Sequence, residues 1–240
     1  MANSSPITSN QTGINQDLLR YVAKYARNDF TKPIAEHTEI AFAKVNARVQ
    51  ESAQPVILDS GCGTGESSFR LASQFPNQLV VGVDKSAARL DKSPIKTDRN
   101  SETDKNVVLV RAELIDIWRL MKAYNWQIDA HFIFYPNPWP KQRHLKRRWH
   151  GHPAFLSMLQ LSRYLEVRTN WDLYALELTT AVRHLIKLGL IKGNVSMLDF
   201  ETKEPISRFE KKYLSSGHRL YQIKFNAELI FHERADTSSQ

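Results

Sequence analysis

The chain has 240 residues, 42% of them hydrophobic and 24% charged, with a formal net charge of +8 and a pI near 9.5. That length suits one large α/β domain with a real core, and the positive excess favours a polyanionic partner through counterion release. A single cysteine, Cys62, excludes an intramolecular disulfide or a cysteine zinc cluster and fits a reducing cytoplasm, and no apolar run reaches the roughly 18 residues that a membrane-spanning helix needs.

The first residues, M-A-N-S-S-P-I-T-S-N-Q-T-G, are polar, lack an apolar signal core and read as a disordered lead-in. Leu18 to about Val49 shows helical spacing broken at Pro33, which predicts two helices in front of the main domain. The expected organisation is a flexible N-terminus with leading helices over 1–50, a domain over 51–232 and a disordered tail over 233–240. Within the domain, Val56–Leu58 is a strand that ends in Asp59 and G-C-G-T-G, and Ser67–Phe75 is helical. Leu79–Val83 is a second strand, ending at Asp84, and Val107–Val110 a third after the polar stretch 91–106, a loop or frayed helix end. A fourth strand spans Ile128–Tyr135 and a fifth Tyr164–Arg168; Leu173, Leu176, Val182, Leu185 and Ile186 give the following helix an apolar face, stopped at Gly189. Val195–Phe200 and Leu220–Phe225 complete the strands as an antiparallel edge. Alternating strands and helices predict an α/β, Rossmann-like fold: a mostly parallel sheet with helices on both faces.

The turn after the first strand sits where a doubly wound fold binds its ligand. It is not a dinucleotide fingerprint, because the third glycine would fall at Glu66 or Ser68, and no G-K-[ST] follows to make a phosphate loop. What remains is Asp59, Gly61, Gly63 and Gly65 in a D-x-G-x-G-x-G pattern, with Asp84 at the tip of the second strand, where an acid can accept ribose hydroxyls. This pattern resembles the first motif of Rossmann-like methyltransferases that use S-adenosylmethionine. The resemblance places Lys85, Ala112 and Glu113 around the cofactor as well. Ala112 stands where these enzymes usually have an acid for the adenine amine, and Glu113 is one position on.

Between Asp129 and Glu166 there is no acidic residue, while Lys141, Arg143, Lys146, Arg147, Arg148 and Arg163 stand there with four histidines. Such a run at the mouth of a cleft would attract and retain phosphate, and Trp139 and Trp149 offer faces for an unstacked base. No H-E-x-x-H and no third ligand near His150 and His152 point to a metal, and no G-x-S-x-G elbow points to a hydrolase.

The run P-N-P-W-P-K-Q-R-H-L-K-R-R resembles the P-D-P-W-x-K-x-R-H-x-K-R-R signature of bacterial tRNA (guanine-N7)-methyltransferases. T-N-W-D-L-Y-A at 169–175, S-R-F-E at 207–210 and G-H-R-L at 217–220 extend the resemblance over roughly 55–226. It implies an S-adenosylmethionine-dependent enzyme that methylates the variable-loop guanine of tRNA, with no metal and no membrane, and it sets no oligomeric state. It puts Asn137 at the catalytic position, Lys141, Arg143, His144, Arg147, Arg148 and Asn170 on the substrate, and Ser207 and Glu210 on the target guanine. Four departures, Ala112, Asn137, Asn170 and Ser207, mark a divergent relative. The amides at 137 and 170 leave two alternatives: a methyltransferase with another RNA base or a small-molecule acceptor, or a relative that binds cofactor and RNA without catalysis.

Overall fold

The computed structural model describes residues 4–28, 30–93 and 106–228. Seven strands form one sheet in the order β3-β2-β1-β4-β5-β7-β6. Strands β1 (Val56–Ser60), β2 (Leu79–Asp84), β3 (Val107–Arg111), β4 (Ile128–Phe134) and β5 (Ser162–Thr169) run parallel. Strand β7 (Leu220–Ala227) pairs antiparallel with β5 and with β6 (Gly193–Phe200), so the antiparallel edge is present. Every residue of β1 and β2 is buried, as expected of parallel strands covered on both faces.

The helices are α1 (Leu18–Ala26), α2 (Glu36–Ser52), α3 (Glu66–Gln74), α4 (Ala87–Leu90), α5 (Leu114–Ala123), α6 (Phe155–Leu159), α7 (Asp172–Lys187) and α8 (Arg208–Ser215). Leu58, Val81 and Val83 face one side of the sheet and share a core with Leu18 and Val22 of α1, Phe42 of α2, Trp118 of α5 and Leu178 of α7. Ile57, Val80, Phe132 and Phe134 face the other, against Leu71 and Ala72 of α3 and Ile206. The two leading helices are therefore part of the main core. Strand β4 stops one residue early because Tyr135 has φ +53°, outside strand geometry. Most of the polar stretch, 94–105, and all of the expected tail lie outside the described residues.

The largest departure from expectation is the N-terminal segment. Residues 4–17 form an extended strap across the carboxyl edge of the sheet, not a disordered lead-in. Ser4 N donates to Ser216 Oγ (2.9 Å), Ser9 Oγ to the Pro140 carbonyl (2.5 Å), Gln142 N to Asn10 Oδ1 (3.1 Å) and Gln11 Nε2 to Glu177 Oε1 (2.5 Å). Low hydrophobicity removes one reason to fold, but these polar groups find fixed partners instead of water.

Gly82 sets how closely α3 can lie on the sheet. A Cβ there would collide with Ser68 Oγ and come within 2.7 Å of Leu109 Cδ2. Gly82→Ala is expected to lower the urea midpoint by an amount equivalent to about 1–3 kcal/mol; an unchanged midpoint would show that α3 shifts freely.

Candidate active site

The chain leaves β1 through Gly61, Gly63 and Gly65, with φ of +81°, +62° and +82°. Gly61 N and Cys62 N bond the Val83 carbonyl (2.7 and 3.1 Å), which ties the turn to β2. An added Cβ at Gly61 or Gly63 would meet nothing within 4 Å, so the turn keeps an open floor of bare backbone. Asp84 is buried at the tip of β2; its Oδ2 accepts from Gly63 N (3.0 Å) and Arg89 Nη1 (3.3 Å), its Oδ1 from Ser86 N (2.8 Å).

Asp59 lies buried beneath the turn, where its Oδ2 accepts from the Ser67 and Ser68 hydroxyls (2.6 and 2.7 Å) and so fixes the start of α3. Burial pushes its carboxyl up to about 6, against the two hydroxyl bonds and with the charge of Asp84 adding to the rise. Lys85 is exposed, and Glu113 is exposed just before α5. Ala112 is wholly buried, with its N–H on the Asp84 carbonyl (3.2 Å).

Strand β4 is the neighbour of β1, with Phe132 level with Asp59, so the loop after β4 emerges beside the glycine turn at the point where strand order reverses. That loop is held in an uncommon shape. Tyr135 and Trp139 both have positive φ (+53° and +46°), and between them the exposed Asn137 accepts Trp139 N on its own Oδ1 (3.3 Å), an Asx turn. Lys141, Arg143 and Arg147 are exposed beyond it. Desolvation first, and then the charges of Arg147, Arg143 and Lys141, hold the His144 imidazole below its usual pKa.

Both tryptophans are partly covered by neighbouring side chains. Arg147 lies 4.7 Å over the Trp139 ring, His144 meets that ring edge-on at 5.6 Å, and Trp149 packs on Trp118 at 4.8 Å.

Arg148 does not belong to the substrate-facing group in which the motif placed it. It is fully buried, ion-paired through Nη1 with the equally buried Glu177 of α7, and stacked 4.9 Å over Trp171. Its Nη2 donates to Gln11 Oε1 (3.0 Å) and to the carbonyls of Trp139 (3.1 Å) and Lys141 (3.3 Å). Glu177 also accepts from His150 Nε2 (2.9 Å) and Asn15 N (2.8 Å). Burial opposes the ionised Glu177, but the His150 bond and the Arg148 charge hold it below the ordinary carboxylate range. His150 is thereby committed to a carboxylate, and among the described residues no group of His, Cys, Asp or Glu could hold a metal.

Glu210 departs from expectation in the same way. It is fully buried, and its two oxygens accept from the Tyr135 hydroxyl (2.7 Å), Arg168 Nη1 (3.1 and 3.3 Å) and Ile206 N (2.7 Å). Ser207 Oγ accepts Glu210 N (3.2 Å), so S-R-F-E is an N-terminal cap of α8, with both side chains spent on the fold. Asn170 Nδ2 meets His218 Nδ1 (2.9 Å), and His218 Nε2 the Ser4 carbonyl (2.9 Å), which joins the end of β5 to the strap. Glu177, Gln11, Asn15, Tyr135 and Arg168 were not singled out from the sequence. The one signal was an acid on the apolar stripe of α7, flanked by Leu173, Tyr174, Leu178 and Ala181.

The family model described as "Putative methyltransferase" matches residues 53–223. The chain belongs to this methyltransferase family. It is 27% identical over 179 residues to the tRNA (guanine-N(7)-)-methyltransferase of Nitrosomonas europaea, a match covering 71% of this chain and 75% of that protein. Its fold is similar to that of the 16S rRNA (adenine(1408)-N(1))-methyltransferase of Catenulisporales acidiphilia, solved with its cosubstrate, at TM-score 0.54, 19% identity and coverage of 77% and 89%. The 16S rRNA methyltransferase KamB is similar at TM-score 0.54, 14% identity and coverage of 82% and 96%. The methyltransferase takes S-adenosylmethionine, and the open glycine floor beside the Asp84 carboxylate fits it.

Two outcomes test this arrangement. Because the folded pKa of Asp59 is raised, its contribution favours folding at low pH and is lost as pH rises from the ordinary carboxylate value through about 6. Asp59→Asn should therefore be more stable than wild type at neutral pH, on the order of 2–3 kcal/mol in urea titrations, and the gain should vanish in acid. A variant no more stable at neutral pH would contradict it. Glu177→Ala strands a buried guanidinium and should cost about 3–5 kcal/mol, with the strap becoming the first site of limited proteolysis; a resistant strap would show that it is held by other contacts.

Proposed function

We propose that this methyltransferase is a cytoplasmic enzyme that transfers a methyl group from S-adenosylmethionine to N7 of a guanine in tRNA, the variable-loop guanine by family resemblance. What supports this is the placement of the P-N-P-W-P-K-Q-R-H-L-K-R run: it leaves β4 next to the glycine turn of β1 and carries exposed Lys141, Arg143 and Arg147. A cofactor floor and an anion-attracting ridge share one edge of the sheet. The similarity to tRNA (guanine-N(7)-)-methyltransferases supports the choice of acceptor.

Bound S-adenosylmethionine supplies an electrophilic methyl group on a sulfonium. Guanine N7 is a lone-pair acceptor with no proton to remove, so alignment matters more than a general base. Held at the glycine turn and Asp84, the cofactor would supply the methyl group, and the methylated base would carry the positive charge. Residues of the chain thus have three tasks: to hold the cofactor at Gly61, Gly63 and Asp84, to grip phosphate with Lys141, Arg143 and Arg147, and to meet the charged base.

We assign the third task to Asn137, at the exposed apex of the loop, and its Asx turn is one that an aspartate could close equally. Its Oδ1 closes the Asx turn on Trp139 N as an aspartate oxygen would, so the loop keeps its shape while losing a charge. An amide carbonyl can accept hydrogen bonds from guanine but offsets little of the growing cation.

The experiment is methyl transfer to total tRNA, with the modified nucleoside identified by mass. Wild type should yield 7-methylguanosine. Asn137→Asp should raise kcat roughly tenfold or more, and Asn137→Ala, which opens the turn, should lower it by a similar factor. No transfer to any tRNA by wild type, with activity appearing in Asn137→Asp, would favour the non-catalytic alternative, which the amide itself motivates. Transfer to a different base would favour the changed acceptor.

A further inference from the structure

The strap and the start of the basic loop border an open groove of about 740 Å3, lined from the strap by Thr8, Ser9 and Asn10 and from the loop by Lys141, Gln142 and Arg143. The strap lies outside the matched residues 53–223, so the family match does not account for it. The volume suits a ligand of nucleotide size.

Its lining is rich in donors. The Thr8 hydroxyl, the Lys141 ammonium and the Arg143 guanidinium make no hydrogen bond or ion pair with any described residue. Asn10 gives its Oδ1 to Gln142 N (3.1 Å), and its Nδ2 has no partner among the described residues. The one carboxylate at the rim, Asp17, is paired with Arg20 at 2.9 Å. Asn15 is turned away, to the Gln142 carbonyl (3.0 Å) and Glu177. Two cations and two neutral donors converge, and the only acid already has a partner. That chemistry selects an anion.

The groove is also built in advance. Ser9 bonds the Pro140 carbonyl and Asn10 bonds Gln142 N, so the strap grips the residues on either side of Lys141. Gln11 and Asn15 anchor it to buried Glu177 immediately afterwards. The backbone on both sides is therefore fixed before binding, and ordering falls mainly on the Lys141 and Arg143 side chains.

We infer that this groove binds a sugar–phosphate unit of the RNA strand beside the target nucleotide, with Thr8 and Asn10 of the strap as its phosphate-contacting residues. The inference rests on the proposed function in taking RNA as the ligand. It makes the N-terminal strap one wall of the substrate site.

The test uses the full chain and an unmodified tRNA transcript, with affinity measured by filter binding across a range of salt concentrations and cofactor affinity measured in parallel. Asn10→Asp keeps the oxygen that bonds Gln142 N and replaces the amide donor by a carboxylate oxygen. It should weaken tRNA binding roughly tenfold and reduce the slope of log affinity against log salt by about one. Thr8→Ala should weaken binding roughly two- to threefold. Gln127→Glu, exposed at the start of β4 on the opposite edge of the sheet, adds the same charge far away and should change little. Cofactor affinity should be the same in all. Unchanged tRNA affinity in Asn10→Asp, or equal weakening by Gln127→Glu, would overturn the inference. Wild-type protein that binds tRNA but transfers no methyl group would sink the proposed function and leave this site standing.

Discussion

A charge pair with no access to water, Arg148 with Glu177, sets the geometry on which the rest of the cleft depends. Taking both groups out of water costs several kcal/mol each before any attraction is counted, so the pair is a doubtful source of stability. What it provides is direction. A guanidinium has five N–H donors in a fixed fork, and here they reach a carboxylate on α7, a side chain of the strap and two carbonyls of the loop that carries Asn137. One of those carbonyls belongs to Trp139, whose backbone is in the left-handed region at a cost of roughly 1–3 kcal/mol. The Tyr135 hydroxyl on Glu210 holds the other strained end. A shape that the local chain would not choose is thereby imposed from two buried carboxylates.

How far the sequence could be read follows from the range of each cause. The strands and the glycine turn were legible because β-branched runs and positive-φ glycines act over a few residues, and Asp84 because its distance from the turn is a property of the βαβ unit. Arg148 is not legible as a buried anchor because K-R-R offers three equal cations in a row, and which of them turns inward is decided by a carboxylate 29 residues later. Ser207 and Glu210 were read as ligands of the base when S-x-x-E is also the signature of a helix cap. The strap is not legible from composition, which reports hydrophobic drive only, whereas Gln11 and Asn15 are held by hydrogen bonds to one buried acid.

The same contrast bears on Asn137. A substitution at the reacting edge of a cleft can be costly in two separable ways, through shape and through charge. The Asx turn isolates the second: Asp and Asn present an acceptor oxygen at the same place, so the loop is indifferent to the exchange while the electrostatics are not. Asn170 fits this pattern, since its amide nitrogen donates to His218 in a contact where a carboxylate would need the imidazole protonated or in its other tautomer. In both places a neutral amide makes the polar contact, beside a ridge that carries Lys141, Arg143 and Arg147.

The strap has a further consequence for the order in which the molecule can be made. Gln11 and Asn15 are synthesised well before their partner Glu177, which stands more than 160 positions further along the chain. Contacts of such long sequence separation close late, after the loop entropy has been met by other structure. During synthesis the strap cannot close on Glu177 until α7 has formed, and the guanidinium anchor of the loop beyond Tyr135 lacks its carboxylate for the same interval. Most of the sheet can therefore be paired before the loop beyond Tyr135 acquires its final contour.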